Sequence, residues 1–235
     1  MKQFAAILIT ILLYNCASEE QHDFTLKGHI EGLKKGTVYL QKQTDSVMVT
    51  LDSLEINGNS MFELHAALEE PELLFLKLDK NDDDEGTVVF FADKGITEVN
   101  STLKTFNYDA KIKGSKQQDV LEEYLLMMSK FNDKNLDMIK ESFESQIAQD
   151  STKYNNIQAN FDNLLKRKYL YTINFAVNHK DSEVAPYLAI SEISNTSVKY
   201  LEEIYNALDA EIKTSKYGIE LEELIALRKA EAKNQ

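Results

Sequence analysis

The chain has 235 residues, 26 basic and 39 acidic, for a net charge of −13. So acidic a polypeptide repels polyanions, which argues against nucleic acid as a partner. Two prolines, eight glycines and 43% hydrophobic residues describe a folded chain rather than a disordered one, and the length suits one large or two small domains. A single cysteine, Cys16, leaves no disulfide possible within one chain, so the fold must rest on its core.

The N-terminus is ordered by charge. Met1-Lys2 gives a positive start, and Phe4 to Tyr14 is almost wholly apolar. That run is too short to span a bilayer, which takes about 20 apolar residues, but it fits the core of a secretory signal peptide. Past Cys16 the chain turns polar at once. Leu13-Tyr14-Asn15-Cys16 resembles the lipobox of bacterial lipoproteins, with Tyr14 and Asn15 in place of the usual small residues. The resemblance implies cleavage after residue 15, acylation of Cys16, and residues 16–22 as a lipidated tether. Several acyl chains on one residue hold a protein stably at a membrane. The implied partner is therefore the lipid bilayer, and the implied location is the bacterial envelope, at the outer membrane. Lys2 is the only charged residue among residues 1–15, so their removal takes the net charge from −13 to −14.

Residues 23–114 carry the signature of short strands. Phe24, Leu26, Gly28 and Ile30 alternate with polar partners, the period of a half-buried strand. Leu33 to Gly36 turns the chain into Thr37–Leu40, and Val47–Leu51 follows. Ile56-Asn57-Gly58-Asn59 predicts a hairpin, because Asn-Gly accepts positive φ at low cost, and it leads into Met61–Leu64. Pro71 interrupts before Leu73–Leu78. Thr87–Phe91, Ile96–Val99 and Phe106–Ile112 complete the series. Such close spacing leaves no room for crossover helices and predicts an antiparallel β-sandwich or barrel.

Residues 115–235 change period to a helical region, so the fold class is α+β. Ser115 with Gln118 resembles a capping box. Val120, Leu121, Tyr124, Leu125 and Met128 fall on one helical face, and Leu136, Ile139, Phe143 and Ile147 form a second stripe. Ile157, Phe161, Leu164 and Leu165 open a third helix, whose later part, Tyr169 to Val177, is apolar nearly all round and predicted buried. Pro186 suits a first helical turn. Val198, Leu201, Ile204, Leu208 and Ile212 make a further stripe, and Gly218 separates it from a last helix bearing Leu221, Leu224 and Ile225. No Pro-rich or Ser-rich linker parts the two halves at Gly114. The apolar excess at Tyr169 to Val177 predicts helices packed on the sheet in one cooperative body.

"FTLKGHIEGLKKGTVYL", "VTLDSLEINGNSMFEL" and "FFADKG" resemble the uncharacterised N-terminal domain of certain bacterial envelope lipoproteins. In that family the domain and a helical connector usually precede a thioredoxin-like thiol–disulfide oxidoreductase domain. The resemblance covers residues 24 to 114 and extends loosely into the helices. Here the sequence ends at "LIALRKAEAKNQ" and holds no Cys-x-x-C, so the two-sulfur chemistry of that domain maps to no residue.

Other chemistry has no local motif. His22, His29, His65 and His179 are scattered without metal-ligand spacing. No Gly-rich phosphate loop and no Gly-x-Ser-x-Gly elbow occurs. In the acidic run Asp79 to Gly86, an EF-hand reading that starts at Asn81 places Ala92 where a bidentate Glu is required, which leaves a solvated loop as the default reading and an irregular, weak calcium site as the alternative. The aromatics Tyr169, Tyr171 and Phe175 read as buried helix. No catalytic, metal or cofactor-binding residue is nominated. The expectation is a non-catalytic envelope lipoprotein that binds a protein or ligand. The alternatives are an enzyme whose site is assembled from distant residues and an accessory subunit of a separately encoded thiol–disulfide oxidoreductase.

Overall fold

The computed structural model describes residues 22–44, 47–80 and 86–233. Cys16 and nearly all of the expected tether lie outside the described residues, as does the centre of the acidic run, residues 81–85.

Among the described residues eight strands come first: β1 (Phe24–Glu31), β2 (Lys35–Thr44), β3 (Val47–Asn57), β4 (Met61–Ala66), β5 (Glu72–Asp79), β6 (Gly86–Ala92), β7 (Gly95–Thr102) and β8 (Lys111–Lys113). They form two four-stranded sheets, ordered β4-β1-β7-β8 and β3-β2-β5-β6. The fold is thus a sandwich and not a barrel. Inward residues of the alternating strands, among them Phe24, Leu26, Leu40, Leu64, Leu74, Leu76 and Phe90, fill one core between the sheets.

Three sequence expectations are modified. The pairings are antiparallel except that β1 and β7 run parallel, Phe24 against Gly95 through Glu31 against Thr102. A parallel pair needs a long crossover, and here β2 to β6 supply it in place of a helix, with β2, β3, β5 and β6 in the opposite sheet and β4 returning to pair with β1. Asn57-Gly58 does not close a hairpin. β3 pairs with β2 and β4 pairs with β1, so the turn is a corner between sheets. Gly58, at φ 94°, donates its N–H to the Lys34 carbonyl at 2.8 Å and so extends the β2–β3 ladder. The neighbouring edges β3 and β4 are also bridged by a side chain, since the Asp52 carboxylate accepts the His65 N–H at 2.8 Å. Finally, only the end of the expected strand Phe106–Ile112 is extended, as part of β8 (Lys111–Lys113). Thr105 accepts from Tyr108 and Asp109 in a tight turn that drops Phe106 into the core.

Six helices follow among the described residues: α1 (Lys116–Ile147), α2 (Ser151–Asn178), α3 (Val184–Ile193), α4 (Val198–Ala207), α5 (Ala210–Lys213) and α6 (Lys216–Lys233). The two stripes expected before residue 150 belong to one helix, because Asn132 to Asn135 contains no Pro or Gly to stop it. The Ser115 hydroxyl accepts the Gln118 N–H at 3.0 Å, the forward half of a capping box. The reciprocal half is replaced, because the Gln118 amide oxygen accepts the Phe91 N–H at 2.9 Å. Gln118 thereby satisfies a backbone donor on β6, an outer strand of its sheet. Gly218 lies inside the first turn of α6 rather than before it. A Cβ there would sit 2.0 Å from the Ile212 carbonyl oxygen, so glycine is what lets α5 and α6 close together.

The helices meet the sandwich through residues on its outer face. Phe90 points into the sandwich, whereas Phe91 points out and meets Tyr187 and Tyr217 edge-on, each at about 5.5 Å. The Tyr217 hydroxyl accepts the Leu73 N–H at 3.1 Å. The apolar segment Tyr169 to Val177 is covered differently from the expectation. Ile173 and Ala176 pack among α3, α4 and α6, and Phe175 packs with Tyr124 of α1. Its burial is supplied mainly by other helices.

Candidate functional site

At the junction of sandwich and helices, a groove of about 620 Å³ opens between the ends of β2 and β5 and helices α3 and α6. Its charged centre is Glu72. This position continues the inward phase of β5 (Glu72, Leu74, Leu76, Leu78) past the end of the sandwich core, which leaves Glu72 only 5% exposed. A buried carboxylate needs charged or hydrogen-bonding partners. Glu72 has two, Lys42 of β2 at 3.3 Å and Lys216 of α6 at 2.9 Å, one on each oxygen. The apolar wall is Leu73, Phe75 and Ile190, with Tyr187 and Tyr217 beside it. Glu69, Glu70 and Glu220 stand at the groove. Glu70 is committed to α6, whose first N–H, from Lys216, it accepts at 2.9 Å. Desolvation pushes the Glu220 carboxyl above its ordinary range, Lys216 opposes this, and Glu223 and Glu70 add to it. The site therefore offers both signs of charge beside an apolar wall, the composition of an amphipathic ligand site.

Beside the groove, two carboxylates accept from helix N-termini, and a third stands at the start of α3 with its hydrogen bond directed elsewhere. Glu70 receives the N–H of Lys216 on α6. Asp93, in the β6–β7 turn, receives the N–H groups of Lys116 and Gln117 on α1 at 2.6 and 3.2 Å. Glu183 immediately precedes α3 and accepts the Ser215 hydroxyl proton at 2.5 Å. Anions at helix N-termini meet exposed backbone donors and the positive end of the helix dipole. Glu183 is 6% exposed, and burial raises its carboxyl to about 7, with Ser215 opposing and the Glu70 and Asp93 charges assisting. It does not line the groove. Burial likewise pushes the Tyr124 and Tyr217 hydroxyls well above their ordinary range.

A second groove, about 790 Å³, lies along α1 between β6 and the β7–β8 pair, where Val89, Tyr108 and Leu125 are exposed. Two of the four histidines come together in the structure, and the others stay apart from them. His22 stacks on His65, and His179 stacks on Phe175 while its Nδ1 meets the Phe175 carbonyl. Among the described residues no cluster of three His, Cys, Asp or Glu side chains is placed to hold a metal. Of the aromatics singled out in α2, Phe175 is buried, while Tyr169 and Tyr171 are half-buried in the helical core. No described helix is long and apolar enough to cross a membrane.

Sequence reasoning did not reach the Lys42–Glu72–Lys216 group, whose members lie 30 and 144 positions apart. One signal was available. A charged residue in the inward phase of an otherwise apolar strand must find a counter-charge, and Glu72 is such a residue.

The chain matches no curated protein. Residues 24–121, which span the entire sandwich and the start of α1, match the family model of DUF4369, a domain of unknown function.

Proposed function

We propose that the chain is a lipid-anchored envelope protein, held by an acylated Cys16, that binds an amphipathic ligand at the sandwich–helix junction without transforming it. The observation that carries this reading is the groove itself. Its volume of about 620 Å³ falls in the range of small-molecule sites, roughly 300–1,000 Å³. Its wall is apolar, and the ammonium groups of Lys42 and Lys216 share a single carboxylate. An incoming acidic group could bridge the Lys42 and Lys216 ammonium groups, while an amine would meet Glu69 or Glu220. Glu183 is the group best suited to acid–base work, but it lies outside the groove and its hydroxyl partner Ser215 belongs to a helix end. This favours binding over catalysis.

The test is a thermal-shift panel of fatty acids, alkylamines and short apolar peptides against the wild-type chain, Phe75→Asp and Lys42→Gln. At least one class should stabilise the wild type and lose its effect in both variants. A panel that stabilises nothing, or that stabilises all three proteins equally, removes the groove as the binding site.

A further inference from the structure

Away from the junction, α1 and α2 continue as an antiparallel hairpin with little to cover it. Between Ser129 and Leu170 only Met138, Ser142, Ser145 and Ile157 are buried. Along α1 the buried side chains Leu121, Tyr124, Met128, Met138, Ser142 and Ser145, with half-buried Phe131 and Asn135 between Met128 and Met138, keep the 3–4 spacing of a heptad seam. Toward the tip this seam becomes polar and small. The large apolar residues sit one position ahead of it, on the adjoining face: Leu136 is 62% exposed, Ile139 36% and Phe143 60%, with Ile147 at the tip 85% exposed. Leu165 on α2 is 49% exposed. Between the two helices a cavity of about 210 Å³ is lined by Phe131, Asn132, Phe161, Leu164 and Leu165.

We infer that this face docks a second copy of the chain, the two hairpins forming an antiparallel four-helix bundle. Charge selects this occupant. α1 holds four basic and seven acidic side chains, a net of −3, whereas α2 holds four basic and one acidic, a net of +3, in a chain that is otherwise strongly acidic. Among the described residues, Lys153, Lys166 and Arg167 of α2 form no ion pair with another side chain. A two-fold axis parallel to the hairpin sets α1 of each copy on α2 of the other, acid against base.

The register supports the same arrangement. Tyr124 contacts Phe175, and Phe131 contacts Tyr171. This antiparallel alignment brings Asp133 level with Lys166, and both flank the apolar face at 3.5-residue periodicity. Across the axis the partner's Asp133 therefore faces Lys166, and the partner's Leu136 comes level with the cavity as a knob opposite a hole.

The test is light scattering of the full chain in mild detergent, with the detergent mass subtracted. The wild type should have the mass of a dimer. Leu136→Lys with Phe143→Lys should be a monomer with unchanged circular dichroism, both sites being exposed. Lys166→Asp should weaken the dimer at least tenfold, and adding Asp133→Lys should restore it. A monomeric wild type at 100 µM, a dimer that survives the double lysine variant, or a charge swap that fails to restore association would each overturn the inference.

Discussion

Glu183 gives the sharpest energetic prediction. It is 6% exposed and has Ser215 as hydrogen-bond donor, with two further carboxylates, Glu70 and Asp93, near enough to disfavour its charge. The ordinary value of 4.5 rises to about 7 in the fold. The folded chain therefore holds this proton more tightly than the unfolded chain, and the stability it contributes is complete below the unfolded value. It is lost as pH rises from 4.5 through about 7. At 1.36 kcal/mol per pKa unit the full loss is roughly 3 kcal/mol. The N-terminus of α3 favours the ionised form by about 0.3–1 kcal/mol, which leaves roughly 2–3 kcal/mol. Glu183→Gln keeps the shape and the acceptor and cannot ionise. Its stability should equal that of the wild type at pH 4 and exceed it by roughly 2–3 kcal/mol at pH 8, a gap of about 4–12 °C in melting temperature for a chain of this size. Thermal denaturation of both proteins across this range measures the gap. A gap that does not change with pH, or a variant less stable at pH 8, would refute the account of a carboxyl buried without a cation.

Gln118→Leu removes the acceptor of the buried Phe91 N–H and should cost about 1–3 kcal/mol in urea denaturation; a smaller loss would mean that the strand edge finds another partner. Cys16→Ala should move the protein from the detergent-soluble membrane fraction to the soluble envelope fraction, and unchanged membrane retention would exclude the acyl anchor. Residues 23–114 expressed alone should lose hydrogen-exchange protection in β5 and β6, where Phe91 and the Leu73 N–H lose their helical partners, while β1–β4 changes less. Protection equal to that of the whole chain would show the halves to be independent.

The alternation of Phe24, Leu26 and Ile30, the hydroxyl cap at Ser115 and the helical stripes were legible because each is a local pattern of a few residues. Topology was less so. A turn such as Asn57-Gly58 fixes a reversal of direction but not whether the next strand joins the same sheet. The parallel β1–β7 pair leaves no mark in either strand, since period 2 is common to both orientations. The stripe Leu136, Ile139 and Phe143 was recognised as helical, but its exposure depends on which face α2 covers. The groove was the least legible part, because Lys42, Glu72 and Lys216 converge only after sheet and helices have docked.

The parallel pairing of β1 with β7 also bears on how the chain reaches its fold. Residues about seventy positions apart must be joined, and the intervening loop carries a closure entropy that local hairpins avoid. The β2–β3 and β5–β6 ladders can form from neighbouring chain, but β1 acquires its central-strand neighbour only when β7 is available. One sheet of the sandwich thus waits on nearly the whole domain. Until then β1 presents an uncommitted edge with Phe24, Leu26 and Ile30 uncovered, and a chain emerging N-terminus first would pass through this state. Substitutions that weaken the β1–β7 register should therefore chiefly speed unfolding, since a late-forming contact contributes little to the transition state, and by reopening this edge they should raise the demand for a holding chaperone.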